Sequence, residues 1–300
     1  MALSLVAVPR RTVSTRVGAY VALTKPRIIE LLLITTLPTM IVAQRGLPPV
    51  WLMAATLLGG ALAAGGANAI NMFVDRDIDK LMHRTAKRPL VTGAVTPRNA
   101  LIFAVTLEVV AFVELWGWVN LLSAVLAISA TLFYVFVYTL WLKRTSSQNI
   151  VIGGAAGAEP VLVGWAAVTD GLAWTPVVLF AIIFVWTPPH FWALAVKYKD
   201  DYQAASVPML PAVATFRRTA REILVYSVIL VGVSLLLAAV AKLGVLYVVG
   251  ASVLGAVFIV MAVRLWRRAT PKAAMQLFSY SITYLTLLFV VMAVDIFVKH

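Results

Sequence analysis

Two carboxylates and one amide recur every four residues at the end of an apolar stretch. Asn71, Asp75 and Asp79 follow the run 50–72. On an α-helix, residues four apart lie on one face, so these side chains would form a stripe about 12 Å long. Carboxylate and amide oxygens are ligands that Mg²⁺ takes while it keeps other positions for water and phosphate. The spacing therefore predicts a magnesium site at the end of a helix.

Basic residues follow this stripe directly, at Arg84, Lys87 and Arg88. Cations beside a metal site suit a polyanion, so the segment predicts a site for a magnesium diphosphate. The alternative is an ordinary cytoplasmic loop with a few solvated acids. That reading explains the cations, but it does not explain the regular spacing of three oxygen ligands in a chain with only 12 acids. Asp77 lies off the stripe and is left outside the primary site.

The composition is that of a polytopic membrane protein. The 300 residues are 62% hydrophobic and 12% charged, and the mean hydropathy is +0.95. A soluble domain of this length would not be so apolar. The net charge of +13 is explained by basic cytoplasmic loops and anionic lipid, so no nucleic-acid partner is expected. The absence of cysteine excludes disulfides, thiolate metal sites and cysteine nucleophiles.

Nine apolar stretches predict an all-α fold of about nine transmembrane helices around a central cavity. Most of them approach the ~20 residues that are needed to span a bilayer. They are 28–44, 50–72, 99–116, 119–141, 149–168, 173–196, 221–241, 244–264 and 275–298. We expect one transmembrane domain over residues 1–300, with 1–20 as a flexible cytoplasmic tail.

The basic residues divide the connections into two sets. One set holds 22 of the 25 Lys and Arg, and the other holds only Arg45, Lys242 and Lys299. The positive-inside rule then places the N-terminus in the cytoplasm and, with nine spans, the C-terminus outside. The expected location is the plasma membrane, or the mitochondrial inner membrane if the source is eukaryotic.

A second long connection, 197–220, lies on the same basic side and contains Asp200 and Asp201. One of these acids, opposite the first stripe, could complete the magnesium shell. The alternative is a solvated pair beside lysines. The sequence leaves open which of the two would meet the metal.

Motifs in both connections resemble those of the UbiA-type intramembrane prenyltransferases, over about residues 20 to 215. The matching stretches are Thr24–Arg27, Asn71–Asp79, Arg84–Leu90, Tyr138-Thr139 with Lys143-Arg144, Asn149–Gly154, Pro160–Trp165, Trp186–Trp192 and Asp201–Pro211. Within this family, the last two runs resemble the heme branch, the protoheme IX farnesyltransferases. The family's usual second pair of acids is incomplete, because Lys197 stands four residues before Asp201. The heme branch generally lacks that pair too.

The resemblance implies transfer of a farnesyl group from farnesyl diphosphate to a vinyl group of heme B, with water addition, giving heme O. It implies Mg²⁺ held by Asn71, Asp75, Asp79 and Asp201. The residues expected to contact the diphosphate are Arg84, Lys87, Arg88, Lys143, Arg144, Lys25 and Arg27. The expected surroundings are membrane lipid and heme-pathway or oxidase-assembly proteins.

The acceptor side is assigned to His190 and Trp192. His190 is the only histidine inside a predicted span, and Pro188 and Pro189 before it should kink the helix. Ligation of heme iron, positioning of the acceptor and proton transfer all remain open for it. The alternative is a structural histidine held by a freed backbone carbonyl. Trp192 could line the cavity or belong to an interfacial belt.

Two rival functions fit part of the pattern. A UbiA-type enzyme could use another acceptor, such as a quinone precursor or a chlorophyll-like ring. A transporter of an anionic substrate would also carry intramembrane acids and kinked helices. The acid stripe argues against a transporter, because it lies at a membrane face beside a basic loop, whereas transporter sites tend to lie near the midplane.

Overall fold

The computed structural model describes residues 13–299 of the chain. Within this range it leaves undescribed the side chains of 13–15, 27, 28, 31–33 and 299. Between residues 13 and 299 the chain forms helices and turns and no strand. The first part of the predicted flexible tail, 1–12, lies outside the described residues, and residues 13–20 belong to a helix.

The helices follow one another with short connections. In chain order they are α1 (Val13–Thr24), α2 (Pro26–Gln44), α3 (Val50–Val74), α4 (Pro97–Trp118), α5 (Leu121–Leu132), α6 (Lys143–Thr145), α7 (Asn149–Thr169), α8 (Trp174–Lys197), α9 (Lys199–Ala204), α10 (Leu210–Val213), α11 (Phe216–Val240), α12 (Val245–Arg268) and α13 (Pro271–Lys299). A π-helix, Phe133–Leu142, joins α5 to α6, so Leu121–Thr145 is one continuous span.

The predicted all-α membrane fold is confirmed. Eight helices within the described residues are long and apolar enough to cross a membrane. The ninth predicted stretch, 28–44, falls in α2, where the described apolar run is the shorter Ile34–Gln44. The structure therefore supports eight spans by length and composition, against the nine that were predicted. The third and fourth predicted stretches, 99–116 and 119–141, are joined by a short turn, since α4 ends at Trp118 and α5 begins at Leu121.

The spans pack as neighbours around α2, α7 and α8. Helix α3 packs against α4, α5 against α7, and α7 against α8; α2 touches α3, α7 and α13. In the second half of the chain, α8, α11, α12 and α13 form a closed set of four. Small residues let the first spans approach closely: a Cβ on Gly66 of α3 would lie 3.0 Å from the Ala104 carbonyl oxygen of α4.

Helix α3 ends before the last two residues of the predicted stripe Asn71, Asp75 and Asp79. Its last residue is Val74, and Asp75 follows as its C-cap. The prediction that one helix carries all three ligands is therefore wrong in detail. Aspartates compete with helical hydrogen bonds, and Arg144 takes the end carbonyl of Val74 at 3.2 Å.

The helical spacing nevertheless persists beyond this end. The Asp75 N–H donates to the Asn71 carbonyl, and the Asp79 N–H donates to the Asp75 carbonyl, each at 2.9 Å. A short 3₁₀ turn, Ile78–Lys80, and a hydrogen bond of 2.8 Å from the Thr85 hydroxyl to the Asp79 carbonyl fix the following segment. The three ligands are thus held close together by a turn that keeps the i+4 register.

The π-helix brings a second set of side chains to the same place. A π-helix closes i→i+5 hydrogen bonds, so residues four and five apart lie above one another, and such segments are frequent at functional sites. The Thr139 hydroxyl donates to the Tyr134 carbonyl at 2.8 Å. Tyr134 and Tyr138 stack with ring centroids 5.4 Å apart. This winding turns Thr139 and Lys143 together toward the end of α3.

Candidate active site

A buried polar cluster lies where α3, the α1–α2 junction and the π-helix meet. Asn71, Asp75 and Asp79 are 2%, 0% and 2% exposed, respectively. Two carboxylates withdrawn from water this completely need cationic partners or a metal ion, because burial of a lone charge is costly. The partners come from segments far away along the chain.

Asn71 is held in one orientation by three contacts. Its Nδ2 donates to Asp75 Oδ2 at 2.7 Å and to Thr139 Oγ1 at 3.1 Å. Its Oδ1 accepts from Lys25 Nζ at 2.8 Å. Because the amide protons are both engaged, the amide oxygen faces the space that Lys25 enters. That oxygen is the atom a metal would use.

Asp75 is hydrogen-bonded through one carboxylate oxygen only. Lys143 donates to Oδ2, and Arg144 stands 3.9 Å from Oδ1. Among the described residues, Oδ1 has no hydrogen-bond partner although it is buried. A buried carboxylate oxygen without a partner is unusual and costs stability. It is the observation in this cluster that best fits a divalent cation.

Asp79 is paired with a residue of the same segment. Arg88 Nη1 donates to Asp79 Oδ2 at 2.6 Å. The Asp79 side chain is almost fully buried, whereas the Arg88 side chain is 18% exposed. A charge-assisted hydrogen bond of this length is strong. Arg88 can therefore contact the Asp79 carboxylate and, through its exposed part, an anion from solution.

The donor set suits magnesium. Within residues 13–299, no three His, Cys, Asp or Glu side chains are grouped so that they alone could hold a metal ion. Asn71 Oδ1 and the carboxylates of Asp75 and Asp79 are the oxygens available here. Mg²⁺ is commonly held by one or two carboxylates together with substrate phosphates and water, so a sparse oxygen set fits it.

Asp77, which the sequence reasoning left out, organises Arg144. The guanidinium donates to Asp77 Oδ1 at 2.7 Å and to Oδ2 at 2.8 Å. This hydrogen bonding lowers the pKa of Asp77 to about 2. The pair is two-pronged and therefore directional, so Asp77 aims Arg144 at the end of α3. The four-residue spacing did not select Asp77, because Asp77 contacts Arg144 and does not lie on the stripe of Asn71, Asp75 and Asp79.

Lys25 reaches the cluster from the junction of α1 and α2. Its backbone is left-handed, with φ at 54°, which turns the side chain inward ahead of α2. Burial lowers the pKa of Lys25 well below its usual value, and the neighbouring cations Arg88 and Lys143 lower it further. The cluster therefore contains more basic groups than its carboxylates neutralise.

Asp201 holds two connections together. Its carboxylate accepts from the backbone N–H groups of His83 at 3.3 Å and of Arg84 at 3.0 Å. It thus ties α9 to the segment after α3. Asp200 is exposed. The structure brings Asp201 to this segment through the backbone, and its role in a metal shell stays a prediction.

The remaining basic candidates differ in placement. The Arg84 guanidinium lies 5.4 Å from the ring centroid of Tyr198 and 3.5 Å from the Tyr202 hydroxyl. Lys87 is exposed and makes no ion pair with any described residue. The side chain of Arg27 lies outside the described residues.

His190 lies in a separate cluster between α8 and α13. Its Nδ1 is 2.7 Å from the Ser281 hydroxyl, and its ring stacks on Trp186 with centroids 4.2 Å apart. The partner is a hydroxyl and not the freed carbonyl that was the structural alternative. Trp192 is buried against Tyr226, and its Nε1 has no partner among the described residues. The acceptor roles of His190 and Trp192 stay predictions.

Sequence reasoning also missed the supporting face of the π-helix. Thr139 orients Asn71, and Tyr134 and Tyr138 stack on each other in the same π-helix. Tyr138-Thr139 is part of the family resemblance, but the motif alone assigned these residues no role. A π-helix changes which residues share a face, and no 3.6-residue pattern reveals it.

The arrangement is a buried cluster of acids and bases at the end of membrane-spanning helices. The UbiA prenyltransferase family matches residues 32–290, and the chain belongs to this family. The family assignment drawn from the motifs is thereby confirmed.

Relatives and solved structures agree with this placement. A protoheme IX farnesyltransferase of Streptomyces avermitilis is 53% identical over 296 residues, which cover 97% of each chain. A digeranylgeranylglyceryl phosphate synthase structure has a TM-score of 0.75 at 16% identity, covering 94% of this chain and 98% of that one. A UbiA homolog from Archaeoglobus fulgidus bound to GPP and Mg²⁺ has a TM-score of 0.61 at 17% identity, covering 91% and 99%. The likeness to the two structures concerns the fold.

Proposed function

We propose that this protein transfers a farnesyl group from farnesyl diphosphate to a vinyl group of heme B, with addition of water, giving heme O. The observation that carries the chemistry is the buried cluster in which Asp75 keeps an unpartnered oxygen among basic side chains. The name and the 53% identity of the S. avermitilis relative support the choice of substrates.

The reaction begins with loss of the diphosphate. The allylic carbon–oxygen bond breaks, and its electron pair leaves with the diphosphate oxygen. The allylic cation is stabilised by resonance, so the enzyme mainly stabilises charge on the leaving group. Lys25, Lys143 and Arg88 contact the proposed metal ligands, so in this proposal they would lie beside the leaving diphosphate. Magnesium, when bound, would neutralise further charge on the diphosphate.

The acceptor then supplies electrons to the farnesyl cation. The vinyl group forms a carbon–carbon bond to the allylic carbon, which leaves a cation on the vinyl carbon next to the pyrrole. Water adds there and loses a proton, giving the hydroxyethylfarnesyl group. Apolar spans exclude water from the first step, and each buried methylene of the farnesyl chain contributes ~0.8 kcal/mol to binding.

We assign the metal to Asn71, Asp75 and Asp79, with Asp201 as the candidate from the second connection. The structure supports the first three through their shared burial and contacts. The proposed diphosphate contacts are Lys25, Arg27, Arg84, Lys87, Arg88, Lys143 and Arg144. Of these, Lys25, Lys143 and Arg88 have the strongest support, because each contacts a proposed metal ligand. His190 and Trp192 are proposed for the heme side.

The protein is a multi-pass membrane protein, and we propose the plasma membrane with a cytoplasmic N-terminus. If α2 crosses as well as the eight long helices, the C-terminus lies outside. Reporter fusions after Arg98 and after Lys272 should report the cytoplasm, and a fusion at His300 should report the outside. A cytoplasmic signal at His300 would show that one span has been miscounted.

The direct test uses purified protein, heme B, farnesyl diphosphate and MgCl₂, with the pigment identified by mass. We expect the mass of heme B plus a farnesyl group and a hydroxyl group. The matched control is Asp75→Asn, which should leave heme B unconverted. Unconverted heme B with the wild-type protein, or addition to a different acceptor offered in competition, would refute the proposal.

A further inference from the structure

The oxygens assigned to the metal are already in contact with basic side chains. Lys25 lies 2.8 Å from Asn71 Oδ1, and Arg88 lies 2.6 Å from Asp79 Oδ2. Lys143 contacts Asp75 Oδ2. Each of these bases is also a proposed diphosphate contact. A metal and a base would therefore compete for the same carboxylates and the same amide.

We propose that these bases exchange partners on binding, so that magnesium and diphosphate enter the site as a coupled pair. The bases move from the carboxylates and the amide to the phosphate oxygens, and the freed oxygens bind the metal. This inference rests on the proposed function, because it assumes that the cluster receives a magnesium diphosphate.

Neither ligand alone suits the site. A divalent cation by itself meets Lys25, Lys143 and Arg88, which already contact the oxygens that it would bind. A diphosphate by itself must draw Lys143 and Arg88 away from buried carboxylates, which then lack partners. When both arrive, every carboxylate and every base keeps an opposite charge beside it. The binding of either ligand therefore increases the affinity of the site for the other.

The side chains have the freedom that the exchange needs. Lysine has a flexible stem and three donors, and arginine can hold a carboxylate and a phosphate through different N–H groups. Arg88 is partly exposed, whereas the Asp75 and Asp79 side chains stay buried. The carboxylates are thus fixed and the bases are the mobile partners. Asp75 Oδ1, which is unpartnered, is the first oxygen open to the metal.

The first experiment measures coupling in the detergent-solubilised wild-type protein. Thermal unfolding is followed during titration with MgCl₂ alone, sodium pyrophosphate alone, and each in the presence of the other. We expect magnesium alone to have little effect and pyrophosphate to raise the apparent magnesium affinity about five- to 150-fold, the usual range for coupled sites. Equal magnesium affinity with and without pyrophosphate would overturn the exchange.

The second experiment removes one base and looks for rescue by the metal. Lys143→Met leaves the Asp75 carboxylate buried without its partner, so the variant should be less stable than wild type. Magnesium alone should now raise its melting temperature, although it does little for wild type. The double variant Asp75→Asn/Lys143→Met should lose this response. Lys199→Met, an exposed lysine of α9 without a proposed role, is the matched control and should behave as wild type.

A second pair keeps the test decisive if Lys143→Met does not fold. Arg88→Gln removes the partner of Asp79 in the same way, so this variant should also be stabilised by magnesium alone. The double variant Asp79→Asn/Arg88→Gln should lose this response. No response in either base variant would overturn the exchange while leaving the proposed function intact. If magnesium and pyrophosphate together have no effect on wild type, the proposed diphosphate site itself fails.

Discussion

Asp75 and Asp295 are both buried, but they differ in the groups that bond to their carboxylates. Asp295 is 1% exposed and accepts from the N–H groups of Gly244 at 2.5 Å and Tyr247 at 3.0 Å. Both of its oxygens are satisfied, and they cap the start of α12. Asp75 is equally buried, yet its Oδ1 has no hydrogen-bond partner among the described residues, and its Oδ2 is bonded to the side chains of Asn71 and Lys143.

The difference separates a structural carboxylate from one prepared for a ligand. Asp295 bonds only to backbone groups, which cannot leave without unfolding the helix start. Asp75 bonds to side chains, and one of them, Lys143, carries a charge on a flexible stem. A buried carboxylate whose oxygens are all hydrogen-bonded stabilises the fold. A buried carboxylate oxygen without a hydrogen bond costs stability and is retained where function requires it. The variants below test whether the two acids really divide in this way.

Asp75→Asn should have the largest effect. Loss of the carboxylate removes a metal ligand and the partner of Lys143, so turnover should fall by about 10²–10³-fold, as for loss of one electrostatic contact to developing charge. The rate of heme O formation at saturating substrates measures it. Near-wild-type turnover at limiting MgCl₂ would remove Asp75 from the site.

Asp295→Asn should act on stability alone. The amide cannot accept from both backbone groups, so the free energy of unfolding should fall by about 1–3 kcal/mol. Turnover of the folded fraction should stay at the wild-type value. A melting curve and an activity measurement on the same sample check both statements. A loss of turnover without a loss of stability would break the comparison.

His190→Ala tests the second polar cluster in the same way. Removal of the ring loses the contact to Ser281 and the stack on Trp186. If His190 serves the heme, heme affinity and the heme absorption band should change while farnesyl diphosphate affinity and melting temperature do not. A general loss of stability of about 1–3 kcal/mol, with unchanged heme binding, would make the residue structural.

Thr139→Val should have a moderate effect on chemistry. The change keeps the shape and removes the hydroxyl that accepts from Asn71, so the amide is less firmly oriented. We expect a roughly tenfold loss of turnover, equivalent to about 1.4 kcal/mol, the scale of one hydrogen bond. Apparent magnesium affinity in the presence of pyrophosphate should weaken in parallel. An unchanged affinity would show that Asn71 holds its position without Thr139.

Asp77→Asn gives the smallest expected effect, and it depends on pH. The pKa of Asp77 is depressed to about 2 by Arg144, so the pair stabilises the fold above the ordinary pKa of the carboxyl and is lost as pH falls toward 2. The stability difference between wild type and variant should therefore be constant from about pH 5 upward and shrink on acidification. Melting temperatures between pH 3 and pH 7 test this. A difference that grows on acidification would contradict it.

The spacing of Asn71, Asp75 and Asp79 was enough to predict that these side chains belong to one segment with a shared register, and the structure buries all three. The i+4 register survives the end of α3 because backbone hydrogen bonds continue through the turn. The basic half was only suggested by charge and resemblance. Lys25 and Lys143 reach the cluster from distant segments, and no local pattern states which carboxylate or amide each will contact.

Other features depended on conformations that hydropathy does not encode. The π-helix aligns Thr139 with Lys143, and Asp201 contacts backbone N–H groups of another segment. The membrane fold itself was predictable, because the long apolar runs indicate membrane-spanning helices and the uneven distribution of basic residues is typical of a membrane protein. Only the count of spans differed, since α2 has a short described apolar run.

The most direct test of the account measures heme O and pyrophosphate in the same reaction, with MgCl₂ or with EDTA, for wild type and Asp75→Asn. Wild type with MgCl₂ should form the two products in equal amounts, and the rate of formation of both should fall by about 10²-fold or more with EDTA or with the variant. Heme O formation that is independent of magnesium, or equal product formation by Asp75→Asn, would contradict the central claim that this buried acid and its bases release the diphosphate.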